Sequence, residues 1–373
     1  MADVASNMSL LNSTFTPNEE DTGRNSACGA DPVVFFALGI FLGTVGLIGN
    51  LSFMFVVIRV KFMQTVTNHY LINLAAADLV YLLVLWILYV CLLVTDNSCV
   101  LMVNPNVRCM VGTLADIAVL TSTFCVGFIS IERYVAITHP FRARQICTKG
   151  KTLFFNILMW IMSAVIKIPS ALVCYVEAPA SVYVAIYIIF IVVCLISICT
   201  VAILYSLTAY HFKKASKAMR DVVANSSRQA PSHDKQVVRI CVSTTVLYFI
   251  CLFPKELVFI LQLILQFGEI EPPPWSVCLH NISILPLMVH SAANPIIYNV
   301  MSTKYRRAFR IALLSCKDKT KLRGDKTFYS RTNNYATERS SCNTRASPRV
   351  NQRNVIYNKK DSLSDTLPRT TSI

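Results

Sequence analysis

The chain has 373 residues, 54% of them hydrophobic and 15% charged, with a mean hydropathy of +0.52. A soluble domain carries roughly 25% charged residues, so an ordinary water-soluble class is excluded and much of the chain must meet lipid. The formal net charge of +15 suits nucleic acid only if the basic residues form a patch on a folded domain, so their placement decides.

Residues 1–31 are polar and acidic, without the apolar core or basic start of a cleavable signal peptide. They contain two sugar-acceptor triplets, at Asn7 and Asn12. Seven apolar stretches follow, approximately 33–58, 70–95, 110–137, 153–173, 182–210, 240–267 and 275–301. Each is close to or above the ~20 residues that a helix needs to cross a bilayer. Helices are the only sensible reading, because open strands in lipid leave backbone groups unpaired.

The connections alternate in charge. One side carries Arg59 and Lys61, then Arg142, Arg144, Lys149 and Lys151, then a long basic run from Lys213 to Arg239. The other side, amino terminus included, has Arg24 and Arg108 against many acids, among them Glu19, Glu20, Asp21, Asp96, Glu269 and Glu271. The basic side is read as cytoplasmic. The amino terminus is then extracellular, and the positive charge marks topology and lipid contact, with no role for nucleic acid.

After residue 301, Tyr305, Phe309, Ala312 and Leu313 share a face while Arg306, Arg307 and Arg310 lie elsewhere. Residues 302–316 are therefore predicted to form an amphipathic helix in the inner interface, with Cys316 as a candidate for palmitoylation. Residues 317–373 are polar and read as a disordered cytoplasmic tail. The expected organisation is an extracellular glycosylated segment (1–32), a seven-transmembrane helix bundle (33–301), an amphipathic eighth helix (302–316) and that tail. The fold class is an all-α membrane protein.

Polar residues inside spans are costly and usually reflect a role. They fall in a series of short motifs. The first span has Gly46-Leu-Ile-Gly49-Asn50, the second Asn73-Leu74-Ala-Ala-Ala-Asp78-Leu79, and the third ends in Glu132-Arg133-Tyr134. The fourth has Trp160, the sixth Cys251-Leu-Phe-Pro254, and the seventh Asn294-Pro295-Ile-Ile-Tyr298. In this order and at these membrane depths they resemble the rhodopsin-like (class A) G-protein-coupled receptors, over about residues 33–316. Residues 59–71 and 131–144 further resemble peptide receptors of the thyrotropin-releasing hormone, ghrelin and neurotensin group.

The resemblance implies several roles. Asp78, with Ser122, Ser291 and Asn294, would hold a sodium ion that favours the resting state; the alternative is an acid kept neutral by burial. The chain departs from the family at His290, where asparagine is usual. Arg133 would pair with Glu132 and reach toward Asp234, and activation would swing the sixth span outward while Tyr205 and Tyr298 close in behind. Pro254 and Pro295 would kink their helices to permit this. Leu252, Tyr248 and Ser197 stand where the family has tryptophan, phenylalanine and proline. The family's disulfide would join Cys109 to Cys174. Cys28, Cys99 and Cys278 are further cysteines at or near the outside, and spacing cannot select a pair among them.

In the outer half, Asp116, Lys167, Lys255, Glu256 and Gln262 stand out, and Asp116, Lys255, Glu256 and Gln262 are the ligand-binding candidates. Asp116 either anchors a ligand amine or pairs with Lys255. The expected activity is that of a receptor, not an enzyme, for an extracellular neuropeptide or peptide hormone, acting through a heterotrimeric G protein of the Gq class at the plasma membrane. Arrestin would follow phosphorylation of tail residues such as Ser362, Ser364 and Thr366, and Thr371-Ser372-Ile373 fits a PDZ domain. The alternatives are a receptor for a non-peptide ligand, a non-signalling decoy or scaffold, and a transporter.

Overall fold

The computed structural model describes residues 32–94, 99, 104–176, 178–223, 232–268, 270 and 273–313, with side chains left out over 212–242 and at a few single positions. The described helices fall in one compact unit, and residues 314–373 lie outside the described residues. Asn7, Asn12, Cys316, the tail phosphorylation candidates and the terminal Thr371-Ser372-Ile373 also fall outside them.

Eight helices carry the architecture: α1 (Pro32–Arg59), α2 (Val66–Val94), α3 (Pro105–Thr138), α4 (Lys149–Leu172), α5 (Ala180–Val223), α6 (Ser232–Phe267), α7 (Pro274–Met301) and α8 (Thr303–Leu313). A 3-10 turn, Lys61–Met63, joins α1 to α2, and a two-turn helix, Pro140–Ile146, joins α3 to α4. No strand occurs among the described residues.

Local chemistry sets several helix starts. The Asn104 side chain accepts from the backbone N–H groups of Asn106 at 3.0 Å and Val107 at 3.3 Å, and Pro105 follows at the first helical position of α3. Thr148 caps α4 through the Lys151 N–H at 3.5 Å. At their inner ends α5 and α6 run well past the apolar stretches, to Val223 and from Ser232. Those extensions are polar, so hydropathy could not reveal them.

Among the described residues, six helices are long and apolar enough to cross a membrane by length and composition: Val33–Arg59, Val66–Leu93, Pro105–Thr138, Lys149–Leu172, Val184–His211 and Val246–Leu265. The seventh expected span is α7, with 28 residues. What it turns inward is polar: Ser276, Ser283, His290, Ser291 and Asn294 are all buried. Polar groups facing other helices lower the mean hydropathy without exposing anything polar to lipid.

The outer surface of the bundle is apolar in the same spirit. Leu153, Phe154, Ile157, Ile161, Val165, Ile168 and Leu172 are exposed along α4, and Val34, Phe41, Ile48, Leu51, Phe55 and Ile58 along α1. A water-soluble monomer does not present apolar patches on this scale. Helix α3 is the most enclosed: 61% of its most apolar window is buried, against 22–39% for the other five. On the α1 side the backbone packs very close. A Cβ on Gly39 would run into the Tyr89 ring, and one on Gly46 would meet Leu82 and lie 3.2 Å from the Ala292 backbone.

Helix α8 buries Tyr305, Ala308 and Ala312, while Leu313 is 76% exposed. The expected face therefore shifts. Positions 305, 308 and 312 repeat at three and four residues, and Leu313 lies about 100° further round. The Tyr305 hydroxyl donates to Asn68 Oδ1 at 2.5 Å, and its ring packs on Tyr298 and Phe53 at 5.6 and 5.9 Å.

Candidate functional site

The polar residues of the bundle gather at three depths. At the outer level, α3 supplies Asp116, α4 supplies Lys167, and α6 supplies Lys255, Glu256 and Gln262. Lys167 Nζ lies 2.8 Å from Asp116 Oδ2 and 3.8 Å from the centroid of the Phe190 ring on α5. The internal partner of Asp116 is thus Lys167, where the sequence had suggested Lys255. Lys255 is buried, with Nζ 5.3 Å over Phe259.

Glu256 is 1% exposed, and neither of its carboxylate oxygens has a hydrogen-bond partner. Gln262 Nε2 meets His280 Nδ1 of α7 at 3.5 Å, and His280 packs edge-on to Phe259. His280, Phe259 and Phe190 were not singled out from the sequence. A histidine within an otherwise largely apolar stretch was the available signal for the first. The aromatic residues carried none, because aromatics are ordinary in a membrane span.

Around this level the outer ends are covalently closed. Cys109 and Cys174 form the expected disulfide, with Cα atoms 5.6 Å apart, joining the start of α3 to the end of α4. Cys99 pairs with Cys91 at the end of α2. Cys91 lies inside an apolar run, which hid it as a candidate. Cys278 is also disulfide-bonded.

At the middle level, Asp78 on α2 accepts from Ser291 Oγ at 2.9 Å and Asn294 Nδ2 at 2.8 Å, both on α7. Asn50 on α1 donates to the backbone oxygens of Ser291 at 2.9 Å and Gly46 at 3.0 Å. Asp78, Ser122, Ser291 and His290 line one cavity with Tyr248 and Leu252. It leaves about 10 Å³ for the centre of a water-sized particle, close to the least that holds one water.

The donor set fits a hard monovalent cation: a carboxylate, two hydroxyls, and the Asn294 Oδ1 oxygen, which is buried without a hydrogen-bond partner. His290 packs edge-on to Tyr248 at 5.6 Å, and its Nε2 is likewise buried without a partner. The three positions where the chain departs from its expected pattern at this depth, His290, Tyr248 and Leu252, thus meet at one cavity.

At the inner level, Arg133 Nε donates to Glu132 Oε2 at 2.6 Å and Nη2 to Glu132 Oε1 at 2.7 Å. Nη2 also donates to the Thr67 hydroxyl on α2, and that hydroxyl lies 3.3 Å from Glu132 Oε2. Two-point, charge-assisted bonding of this kind is among the stronger protein hydrogen bonds. Thr67 had not been assigned a part.

Asp234 falls in the first turn of α6, with its side chain outside the described set. Tyr205 and Tyr298 are buried, and Tyr298 sits 5.1 Å from Phe53. Pro254 lies inside α6, and both Pro286 and Pro295 lie inside α7. Each removes one intrahelical donor.

Comparison with known proteins agrees with this arrangement. The family model described as "7 transmembrane receptor (rhodopsin family)" matches residues 49–298. The chain is 30% identical over 310 residues to the somatostatin receptor type 5 of Rattus norvegicus, covering 78% of this chain and 80% of that protein. It is 26% identical over 328 residues to the somatostatin receptor type 4 of the same species, covering 82% and 80%. It is 27% identical over 316 residues to the thyrotropin-releasing hormone receptor of Gallus gallus, covering 74% and 78%. The chain is a multi-pass membrane receptor, not an enzyme, and it belongs to the rhodopsin family of seven-transmembrane receptors.

Proposed function

We propose that this chain is a plasma-membrane receptor, amino terminus outside, that binds an extracellular peptide and activates a heterotrimeric G protein of the Gq class. The observation that carries the signalling part is the inner cluster, in which Arg133 is held by both oxygens of Glu132 and by Thr67. An arginine so held is released by moving its neighbours, and a cleft then opens between the inner ends of α3 and α6. The peptide part rests on relatives named for somatostatin and thyrotropin-releasing hormone. Asp116, Lys255, Glu256 and Gln262 form the ligand end of the bundle.

A sodium ion held by Asp78, Ser122, Ser291 and Asn294 stabilises the resting arrangement in this reading. It acts by binding that arrangement more tightly than the active one. Arrestin at the phosphorylated tail, a PDZ protein at Ile373, glycans on Asn7 and Asn12, and a lipid on Cys316 complete it.

The test is intracellular calcium and G-protein activation in transfected cells challenged with fractionated neuropeptides. A protease-sensitive response should appear, absent in untransfected cells. Arg133→Ala should abolish it at unchanged surface expression. A response that survives that substitution removes the latch from the reading. Silence at good surface expression favours a decoy, a reading to which Leu252 lends weight, since it occupies the cavity wall where the family has tryptophan.

A further inference from the structure

We propose that Glu256, and not Asp116, is the acceptor for a cationic, N–H-donating group of the ligand, an ammonium or guanidinium, while Lys255 takes an acceptor oxygen on the same molecule. This deepens the assignment of the outer cluster as the ligand site and rests on it.

The outer level contains two carboxylates and two ammonium groups, and only half of them are matched. Asp116 is spent on Lys167 at 2.8 Å, and Lys167 is held further by the Phe190 face. Glu256 and Lys255 remain. They are adjacent on α6, so their side chains leave the helix about 100° apart. Among the described residues Lys255 meets no carboxylate within ion-pair distance, and its ammonium rests on Phe259. The thiol of Cys194 lies beside Glu256, but a thiol is a weak donor, so the carboxylate is left without a strong one.

A buried carboxylate with two unpartnered oxygens weakens the resting fold. A donor that arrives from outside restores what the fold itself leaves unmet.

The surroundings also suit a cation. Phe259 is bounded by Tyr187, Phe190 and His280, with ring centroids 5.8–5.9 Å away. Two of these aromatic rings, Phe190 and Phe259, already carry ammonium groups on their faces. Lys255 opposes a bare cation at Glu256, because its charge acts there. A molecule that also offers a carbonyl or carboxylate oxygen removes the opposition by engaging Lys255.

The probe is Nα-acetyl-L-arginine amide, which combines one guanidinium with carbonyl acceptors. Its partner is Nα-acetyl-L-citrulline amide, close to it in shape but uncharged. Melting of the detergent-solubilised full chain is followed with each, at matched chloride. The arginine probe should raise the melting temperature above the citrulline probe. Glu256→Gln should remove that difference, weakening the arginine probe roughly tenfold or more, and should raise the melting temperature of the probe-free protein. Glu256→Asp, which keeps the charge, should retain part of the difference and guards against a folding artefact in the first variant.

No difference between probes on the unaltered chain overturns the proposal. So does a difference that survives Glu256→Gln, or one removed by Asp116→Asn instead. The readout is binding, so a silent calcium assay would sink the signalling reading and leave this one standing.

Discussion

Replacing Lys167 with methionine tests whether the outer cluster is an internally matched pair plus an unmatched one. Methionine keeps most of the apolar stem and deletes the ammonium that lies 2.8 Å from Asp116 and 3.8 Å from the Phe190 centroid. Breaking a fully buried ion pair costs roughly 3–5 kcal/mol. Here the two ends differ: the Lys167 side chain is 5% exposed and that of Asp116 is 32%. A carboxylate left behind by Lys167→Met recovers some water, which lowers the cost to about 1–3 kcal/mol.

Asp116→Asn strands the more deeply buried partner and should cost more than Lys167→Met. The double variant should recover about 1–2 kcal/mol relative to the sum of the single ones. The assay is thermal melting of the solubilised receptor at one fixed scan rate, because such unfolding is commonly irreversible. Additive single losses refute the pairing. Greater damage from Lys167→Met than from Asp116→Asn refutes the account of which end water reaches.

Tyr305→Phe removes the hydroxyl bond to Asn68 and keeps the ring contacts with Tyr298 and Phe53. It should cost about 0.5–1.5 kcal/mol, read as lower melting, and an unchanged melting point would mean the bond contributes nothing. Gly46→Val places a Cβ 3.1 Å from Ala292 Cβ and against Leu82, and should reduce stability by roughly 1–3 kcal/mol, measured as lost surface expression. Sodium chloride should raise the melting temperature above equimolar choline chloride. Asp78→Asn should abolish that difference, and an equal response in the variant would exclude Asp78 as a sodium ligand.

Much of the bundle could be read from apolar runs, because lipid leaves little choice of backbone. The chain order of motifs likewise placed Asp78 with Ser291 and Asn294, and Arg133 with Glu132. Pairing across the outer level could not be read in this way. Whether Asp116 meets Lys167 or Lys255 depends on the rotation of α3 against α4 and α6, and one sequence carries no record of rotation. Thr67 was hidden for a similar reason: its hydroxyl lies near Arg133 only because α2 and α3 cross there. The polar face of α7 was hidden as well, because hydropathy averages around a helix and cannot distinguish a polar face turned inward from one turned to lipid.

The disulfides also bear on how such a bundle can move. The Cys109–Cys174 bridge fixes the start of α3 to the end of α4, and Cys91–Cys99 closes the end of α2. At the opposite end, the described contacts of Arg133 are hydrogen bonds and ion pairs that exchange without chemistry. A body fastened covalently at one rim and only by reversible bonds at the other behaves as a lever with its fulcrum near the fastened rim. Helices α2, α3 and α4 are the ones so fastened, and separating them at the inner rim breaks only bonds that can re-form.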